Sequence, residues 1–339
     1  MRKLIKTIGR REKETDALVS DDFLNDFTKI VQCKSYRRLA YKTQAISLPR
    51  NAHVRTRLAH TSEVMAVAAT IATRLDLNVN LCLAIAAGHD VGHVPYGHSG
   101  ERVLTKFGGK KFHHSINSIV VLQHIARKSK GLNLCFETLE GIKYHSKGSK
   151  ELIATEDKPA EYAVVMFADK IAGILTDLND AIRYSHLSEH DIPPCALKLG
   201  RNKRERMVAV INAIITESQQ KNQMCFTDSE EYENFRELTE FMYDFLPKID
   251  LSLQETILFK LCEYISDEDA FTGVDPVIVA SLLTDTEADE FARLLLETRM
   301  PSIDQIKNFG VFEILPYIKG KDIDYADPDL EWGKEILIK

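Results

Sequence analysis

The strongest constraint on the fold is the spacing of apolar residues, which is helical along almost the whole chain. From His60 to Leu75 the residues Val64, Val67, Ala68, Ile71 and Leu75 recur at three- and four-residue steps, describing one face of an amphipathic helix. Asn80–Asp90 repeats the pattern with Leu81, Ile85 and Gly88, and Glu161–Ile182 does so after a Pro159 suited to a helix start. Further helices are expected at Asp21–Lys34, Ser115–Lys128, Arg204–Ser218, Ser229–Leu246, Leu253–Ile265, Asp275–Leu283 and Glu287–Thr298. Asp275 reads as an N-cap with Pro276 at the first helical position. Strand-like alternation is confined to Val311–Ile318 and Glu335–Ile338. The helical pattern is interrupted near Leu187–Lys203 by Pro193–Pro194, Gly200 and a basic cluster. The expected fold is all-α with little or no β, residues 1–200 forming a core unit and 201–339 a mainly helical region packed on it.

Composition narrows the functional classes. With 339 residues, 44% hydrophobic and 28% charged, the chain can bury a core and is not disordered. No apolar run approaches the ~20 residues of a membrane span. The basic N-terminus has no apolar stretch behind it and does not read as a secretory signal. Six scattered cysteines without a C-x-x-C pair suggest buried thiols in a reducing compartment, so a cytoplasmic protein is expected. A net charge of -6 argues against nucleic acid as a required partner.

Histidine placement carries the chemical signal: five of the 11 histidines fall between His89 and His114. His60 is in phase with Val64, Val67 and Ile71, and His89 with Leu81 and Ile85, so both point toward the core. Alone, each reads as a core histidine bonded to a carbonyl. Asp90 does not fit that reading, because a carboxylate at a helix C-terminus opposes the dipole and its burial requires compensation. Asp169 shares a helix face with Gly173 and Asp177, at i, i+4 and i+8 on an otherwise apolar stripe. Two imidazoles and two carboxylates suit a divalent ion such as Mn, Fe, Mg, Zn or Ni, with positions left for water or phosphate oxygens.

The order H…HD…D is that of the HD-domain phosphohydrolases, and the resemblance extends well beyond the four residues. HDVGHVPYGHSGE (His89–Glu101) resembles the HDLGHPPFGHAGE box of the dGTP triphosphohydrolase-like dNTPases. SYRRLAYKTQ (Ser35–Gln44) resembles their FRRL-x-x-KTQ, and RTRLAHTSEV (Arg55–Val64) their RTRL-x-HSLEV. FHHSINS (Phe112–Ser118) is similar to FEHN-x-QS, and ADKIAGILTDLNDAI (Ala168–Ile182) to ADDIAY…DLEDAI. The five boxes span Ser35–Ile182, a little under half of the chain.

The resemblance implies an HD-type helical fold with additional C-terminal helices, a divalent metal cofactor and hydrolysis of dNTPs to deoxynucleoside and inorganic triphosphate. It implies metal ligation by His60, His89, Asp90 and Asp169. His98 and Glu101 match the catalytic pair and His114 a further active-site histidine. Arg57 and Lys170 match phosphate contacts, and Gln44 and Asp177 contacts to the sugar 3′-hydroxyl. Arg38 and Lys42 would hold their box together, with His93 and His113 supporting or solvent-facing. Homo-oligomers, hexameric or tetrameric, and a nucleotide effector are also implied. Three departures stand out: Gly173 replaces a tyrosine, Val94 a proline, and Ser115 and Asn117 replace Asn and Gln. No counterpart is evident for the downstream tyrosine that stacks on the sugar; Arg201, Lys203, Arg204 and Arg206 occupy roughly that region. An HD phosphohydrolase acting on another nucleotide, or a non-catalytic nucleotide sensor, is the alternative.

Overall fold

Capping side chains set the helix starts in the computed structural model, which describes residues 1–339 except 2, 5, 46–52, 54, 147–151, 154–156, 185, 299, 300 and 339. Helix α1 (Asp22–Gln32) opens on Asp21, which accepts from the Leu24 amide. Thr56 caps α2 (Arg57–Arg74) and Asn78 caps α3 (Val79–Gly88) in the same way. There follow α4 (Gly97–Gly108), α5 (His114–Val120), α6 (Phe136–Tyr144) and the long α7 (Ala160–Arg183). The C-terminal half adds α8 (Pro194–Leu199), α9 (Lys203–Lys221), α10 (Glu230–Phe245), α11 (Ser252–Asp267), α12 (Pro276–Ser281) and α13 (Asp285–Thr298). The only strands among the described residues are Leu152–Ile153 and Cys225–Phe226, an antiparallel pair with Leu152 opposite Phe226. The fold is all-α, as the periodicity requires.

Three local expectations are corrected. Val311–Ile318 forms a short 3₁₀ turn (Gly310–Glu313) and a helical turn (Leu315–Ile318), not a strand. Its buried residues Val311, Leu315 and Ile318 are spaced four and three apart, a helical period that a short alternating run also contains. Glu335–Ile338 lies within a helix, Trp332–Ile338. The single helix expected over Ser115–Lys128 ends early: a wide π-turn occupies Val121–Ile125, and Arg127, Lys128 and Ser129 all adopt positive φ.

Two apolar cores organise the helices. The first gathers α1–α3 and α6–α10, with Val64, Val67, Ala68 and Ile71 of α2 facing Ile171, Leu175 and Leu178 of α7. Residues on both sides of Leu187–Lys203 belong to it. The second joins residues 94–125 to α11–α13 and the segments beyond, through Tyr96, Leu104, Val120, Leu258, Val279 and Phe291. Burial of such side chains contributes about 1.5–3 kcal/mol each.

Polar bonds stitch α12 and α13 to loops from the N-terminal half. The buried Asp285 carboxylate, at the start of α13, accepts from the Thr43 amide and hydroxyl and from the Tyr96 amide. The fully buried Lys42 ammonium donates to the carbonyls of His93 and Ser281. Tyr96 is left-handed (φ 63°), and its hydroxyl donates to Asp289 at 2.7 Å. Burial, reinforced by Asp285, pushes the Asp289 carboxyl up to about 6. Because the native state then binds more protons than the unfolded chain between the ordinary ~3.9 and this raised value, Asp289 lowers stability as pH climbs through that window. Urea unfolding at pH 4.5, 5.5 and 6.5 should therefore show Asp289→Asn gaining on the wild type as pH rises; parallel curves would refute this.

Candidate active site

Sequence periodicity places His60 on the inward face of α2, one turn from Val64, and α3 ends so that His89 is its C-cap. Asp169 enters from the middle of α7, one turn before Gly173 and two before Asp177. These elements bring the four residues together. His60 Nε2 lies 2.9 Å from Asp169 Oδ1, and His89 Nε2 lies 3.7 Å from the same oxygen and 3.5 Å from Asp90 Oδ2. The donor atoms of His60, His89 and Asp90 all fall within 4.8 Å of one another. His89 Nδ1 donates to the Ala86 carbonyl at 2.6 Å, which fixes the tautomer and leaves Nε2 bare. That buried nitrogen has no hydrogen-bond partner among the described residues. A lone pair facing two carboxylates fits a divalent cation, and the cluster is able to hold one.

Electrostatics favour the same occupant. Asp90 is buried, but His89 and Arg57 outweigh the cost of burial and hold its carboxyl well below the usual range. Burial also opposes ionisation of Asp169, and the bond from His60 with the field of His89 lowers it nonetheless. Arg57 Nη1 donates to Asp90 Oδ2 at 2.8 Å while Nη2 reaches the Gln44 carbonyl at 3.1 Å, so one guanidinium links the HD pair to the Gln44 loop.

The cluster floors a cavity of about 180 Å³ whose walls include Gln44, Arg57, Lys170, Asp177 and His114. Gln44 Oε1 and Asp177 Oδ1 are buried acceptors without partners among the described residues. Burial pushes the Asp177 carboxyl up to about 7, against the attraction of His60, and it lowers the Lys170 ammonium. A Cβ on Gly173 would meet only the His60 ring, at 3.9 Å, so the missing tyrosine leaves room there.

On the far wall, α4 begins at the left-handed Tyr96 and carries His98 and Glu101. Glu101 binds His114 more closely than its expected partner: Oε1 is 2.5 Å from His114 Nδ1 and 3.1 Å from the His114 amide, whereas Oε2 is 3.4 Å from His98 Nδ1. The His98 side chain is 71% exposed and faces solvent at the rim. His93 is buried and stacked 4.2 Å from the His114 ring, lining the cavity; His113 caps α5 through its ring.

Two wall residues escaped sequence reasoning. His145 follows α6 as its C-cap, and its Nδ1 donates to the Ile142 carbonyl at 2.6 Å, the same device as in His89. Its signal lies in the sequence, three residues beyond Ile142 and six beyond Leu139, on a helix outside those expected from periodicity. Tyr243, from α10, stands at the cavity mouth, where Asp169 and Asp177 add to the effect of burial in raising its pKa. The basic run turns out to be structural in part. Lys203 bonds Glu63, and the buried Arg206 donates to the carbonyls of Ala196 and Gly200.

An all-α fold with a His/Asp cluster on the cavity floor defines an HD-domain phosphohydrolase, and the HD domain family model matches residues 57–174. A deoxyguanosinetriphosphate triphosphohydrolase-like protein of Caldanaerobacter subterraneus is 40% identical over 237 residues, 70% of this chain and 68% of the relative. A protein of the same description from Desulfatibacillum aliphaticivorans is 35% identical over 78% of this chain and 80% of its own length. One from Clostridium tetani is 41% identical, and the match spans 61% of that relative. The chain belongs to the deoxyguanosinetriphosphate triphosphohydrolase-like family of HD-domain proteins.

The cavity depends on one close backbone contact. Gly92 lies against α5, where an added Cβ would sit 2.1 Å from the Ser118 nitrogen, and Asn117 donates to the Gly92 carbonyl at 2.7 Å. Gly92→Ala must push α5 away and shift His114 from His93, costing at least ~2 kcal/mol. Chemical denaturation should register that loss, and a variant of wild-type stability would rule the contact out as a constraint.

Proposed function

We propose that the protein is a metal-dependent deoxynucleoside triphosphate triphosphohydrolase, converting dNTP and water to deoxynucleoside and inorganic triphosphate. One conjunction carries the reading. A His/Asp cluster suited to a divalent ion shares a cavity with cations for phosphates and with unpartnered acceptors for a sugar. The names of the relatives support the same substrate class.

His60, His89, Asp90 and Asp169 would hold the ion. When bound, it supplies Lewis acidity to a phosphoryl oxygen and acidifies water. Arg57 and Lys170 would meet charge on the phosphate oxygens, the first as a fork already fixed by Asp90, the second as a point charge. Gln44 and Asp177 would take the 3′-hydroxyl, whose proton satisfies an acceptor that is otherwise orphaned. The Tyr243 ring, which lines the cavity with Asp177, would pack on the sugar. Glu101 would keep the proton on His114 Nδ1 and turn Nε2 inward. His98, bathed in solvent and within reach of Glu101, would pass a proton to the leaving 5′-oxygen or take one from water. A homo-oligomer and a nucleotide effector belong to the same reading, by family resemblance.

Incubation with Mn(II) and each dNTP, with products resolved by chromatography, should yield triphosphate and deoxynucleoside. Diphosphate or monophosphate products would replace this substrate chemistry with another HD phosphohydrolysis, and binding without turnover would make the protein a sensor. His98→Ala should keep the ion and lose about 10²–10⁴-fold in kcat. Asp169→Ala should lose both turnover and the ion between His60 and His89. A His98→Ala enzyme at near wild-type rate would remove His98 from the proton transfer.

A further inference from the structure

One buried carboxylate grips both walls of the cavity from behind. Asp285, 2% exposed, opens α13 and does not line the cavity. Its Oδ2 accepts from the Thr43 amide at 3.1 Å and from the Thr43 hydroxyl, and its Oδ1 accepts from the Tyr96 amide at 3.2 Å. Each oxygen thus serves a different loop. Thr43 precedes Gln44, whose Oε1 is a buried acceptor without a hydrogen-bond partner among the described residues. Tyr96 precedes α4, which carries His98 and Glu101. The two loops touch: a Cβ on Gly97 would lie 3.6 Å from the Gln44 carbonyl oxygen and 3.1 Å from Arg57 Nη2. Lys42 ties them again, donating to the His93 carbonyl and, at 3.2 Å, to that of Ser281 at the end of α12.

The second loop needs that grip. Tyr96 and Gly97 are both left-handed, with φ of 63° and 58°, a turn that a residue with a side chain adopts only at a cost. Such a turn persists where its surroundings fix it, and here Asp285 takes the Tyr96 amide and Asp289 the Tyr96 hydroxyl. Burial raises the Asp285 carboxyl, against the pull of the Thr43 and Tyr96 donors. Packing alone would be served by an apolar side chain at lower cost. What the carboxylate adds is two acceptors at a fixed spacing, one for each wall. We propose that Asp285 is a positioning residue for the reaction: Oδ2 sets Gln44 for the sugar 3′-hydroxyl, while Oδ1 locks the turn that sets His98 at the rim. The proposal rests on the triphosphohydrolase reading, and through it α13 governs turnover without touching the substrate.

Asp285→Asn keeps the shape but must turn its amide nitrogen toward one of the backbone donors, so one wall loses its hold. The folded variant should lose about 10²-fold in kcat/KM for a dNTP, the scale of a ~1 Å displacement. Its inhibition constant for inorganic triphosphate, which would meet Arg57 and Lys170 but neither Gln44 nor His98, should stay at the wild-type value. Thr43→Val removes the hydroxyl bond alone and should shrink the preference for a dNTP over its 2′,3′-dideoxy analogue about fivefold. Thr43→Ser, which keeps the hydroxyl, should restore that preference. A folded Asp285→Asn enzyme with wild-type kcat/KM would overturn the proposal, as would one whose triphosphate binding weakens in step with its turnover. If Asp285→Asn fails to fold, the Thr43 pair decides, and a Thr43→Val enzyme with the wild-type preference overturns it. A wild-type protein that releases no triphosphate from any dNTP refutes the substrate reading, and this proposal with it. Wild-type turnover beside an unaltered Asp285→Asn enzyme refutes this proposal alone.

Discussion

Three carboxyl groups, Asp90, Asp169 and Asp177, share the lining of one cavity with two cationic side chains, Arg57 and Lys170, among the described residues. Asp90 is buried against Arg57, while Asp169 meets His60 at 2.9 Å. A buried, ionised carboxylate is costly without a counter-charge. The rest of the site follows from that deficit. His89 and His145 are each tied through Nδ1 to a carbonyl three residues back, so that Nε2 stays free. Arg57 spends its fork on Asp90 and the Gln44 loop. The cavity is arranged for a divalent cation and an anionic ligand together.

The site lies where the two cores meet. The first core supplies α2, α3, α6 and α7, and with them His60, His89, His145 and Asp169. The second positions α4, with Glu101 and His98, and it holds the loop before that helix through Asp285 and Asp289. Lys42 and Thr43, next to Gln44, are bonded to the same C-terminal helices. The C-terminal helices are thus a scaffold for the substrate wall, although among the described residues none beyond Tyr243 lines the cavity itself.

Much of this was legible in the chain. Helical periodicity predicted the elements that carry His60, His89 and Asp169, and the HD box singled out Asp90. Strands were wrongly expected at Val311–Ile318 because eight residues can satisfy two periods at once, and only burial of Val311, Leu315 and Ile318 separates them. His145 went unnoticed because its helix is short, nine residues, and Tyr243 because it belongs to a helix distant in sequence from every motif. Glu101 was paired with His98 because i, i+3 spacing is visible in sequence. The closer bond to His114 needs α4 and α5 to be packed side by side.

By itself, the sequence determined what is local: helices from their apolar period, one start from Asp275 with Pro276 behind it, and the residue types able to ligate metal and phosphate. Those features depend on neighbours within a few turns. Tertiary structure alone decided which carboxylate oxygen each histidine faces, and that His114 and His145 meet at 3.3 Å. Such distances arise from packing between helices far apart in the chain, where a shift of one ångström separates a hydrogen bond from a metal site.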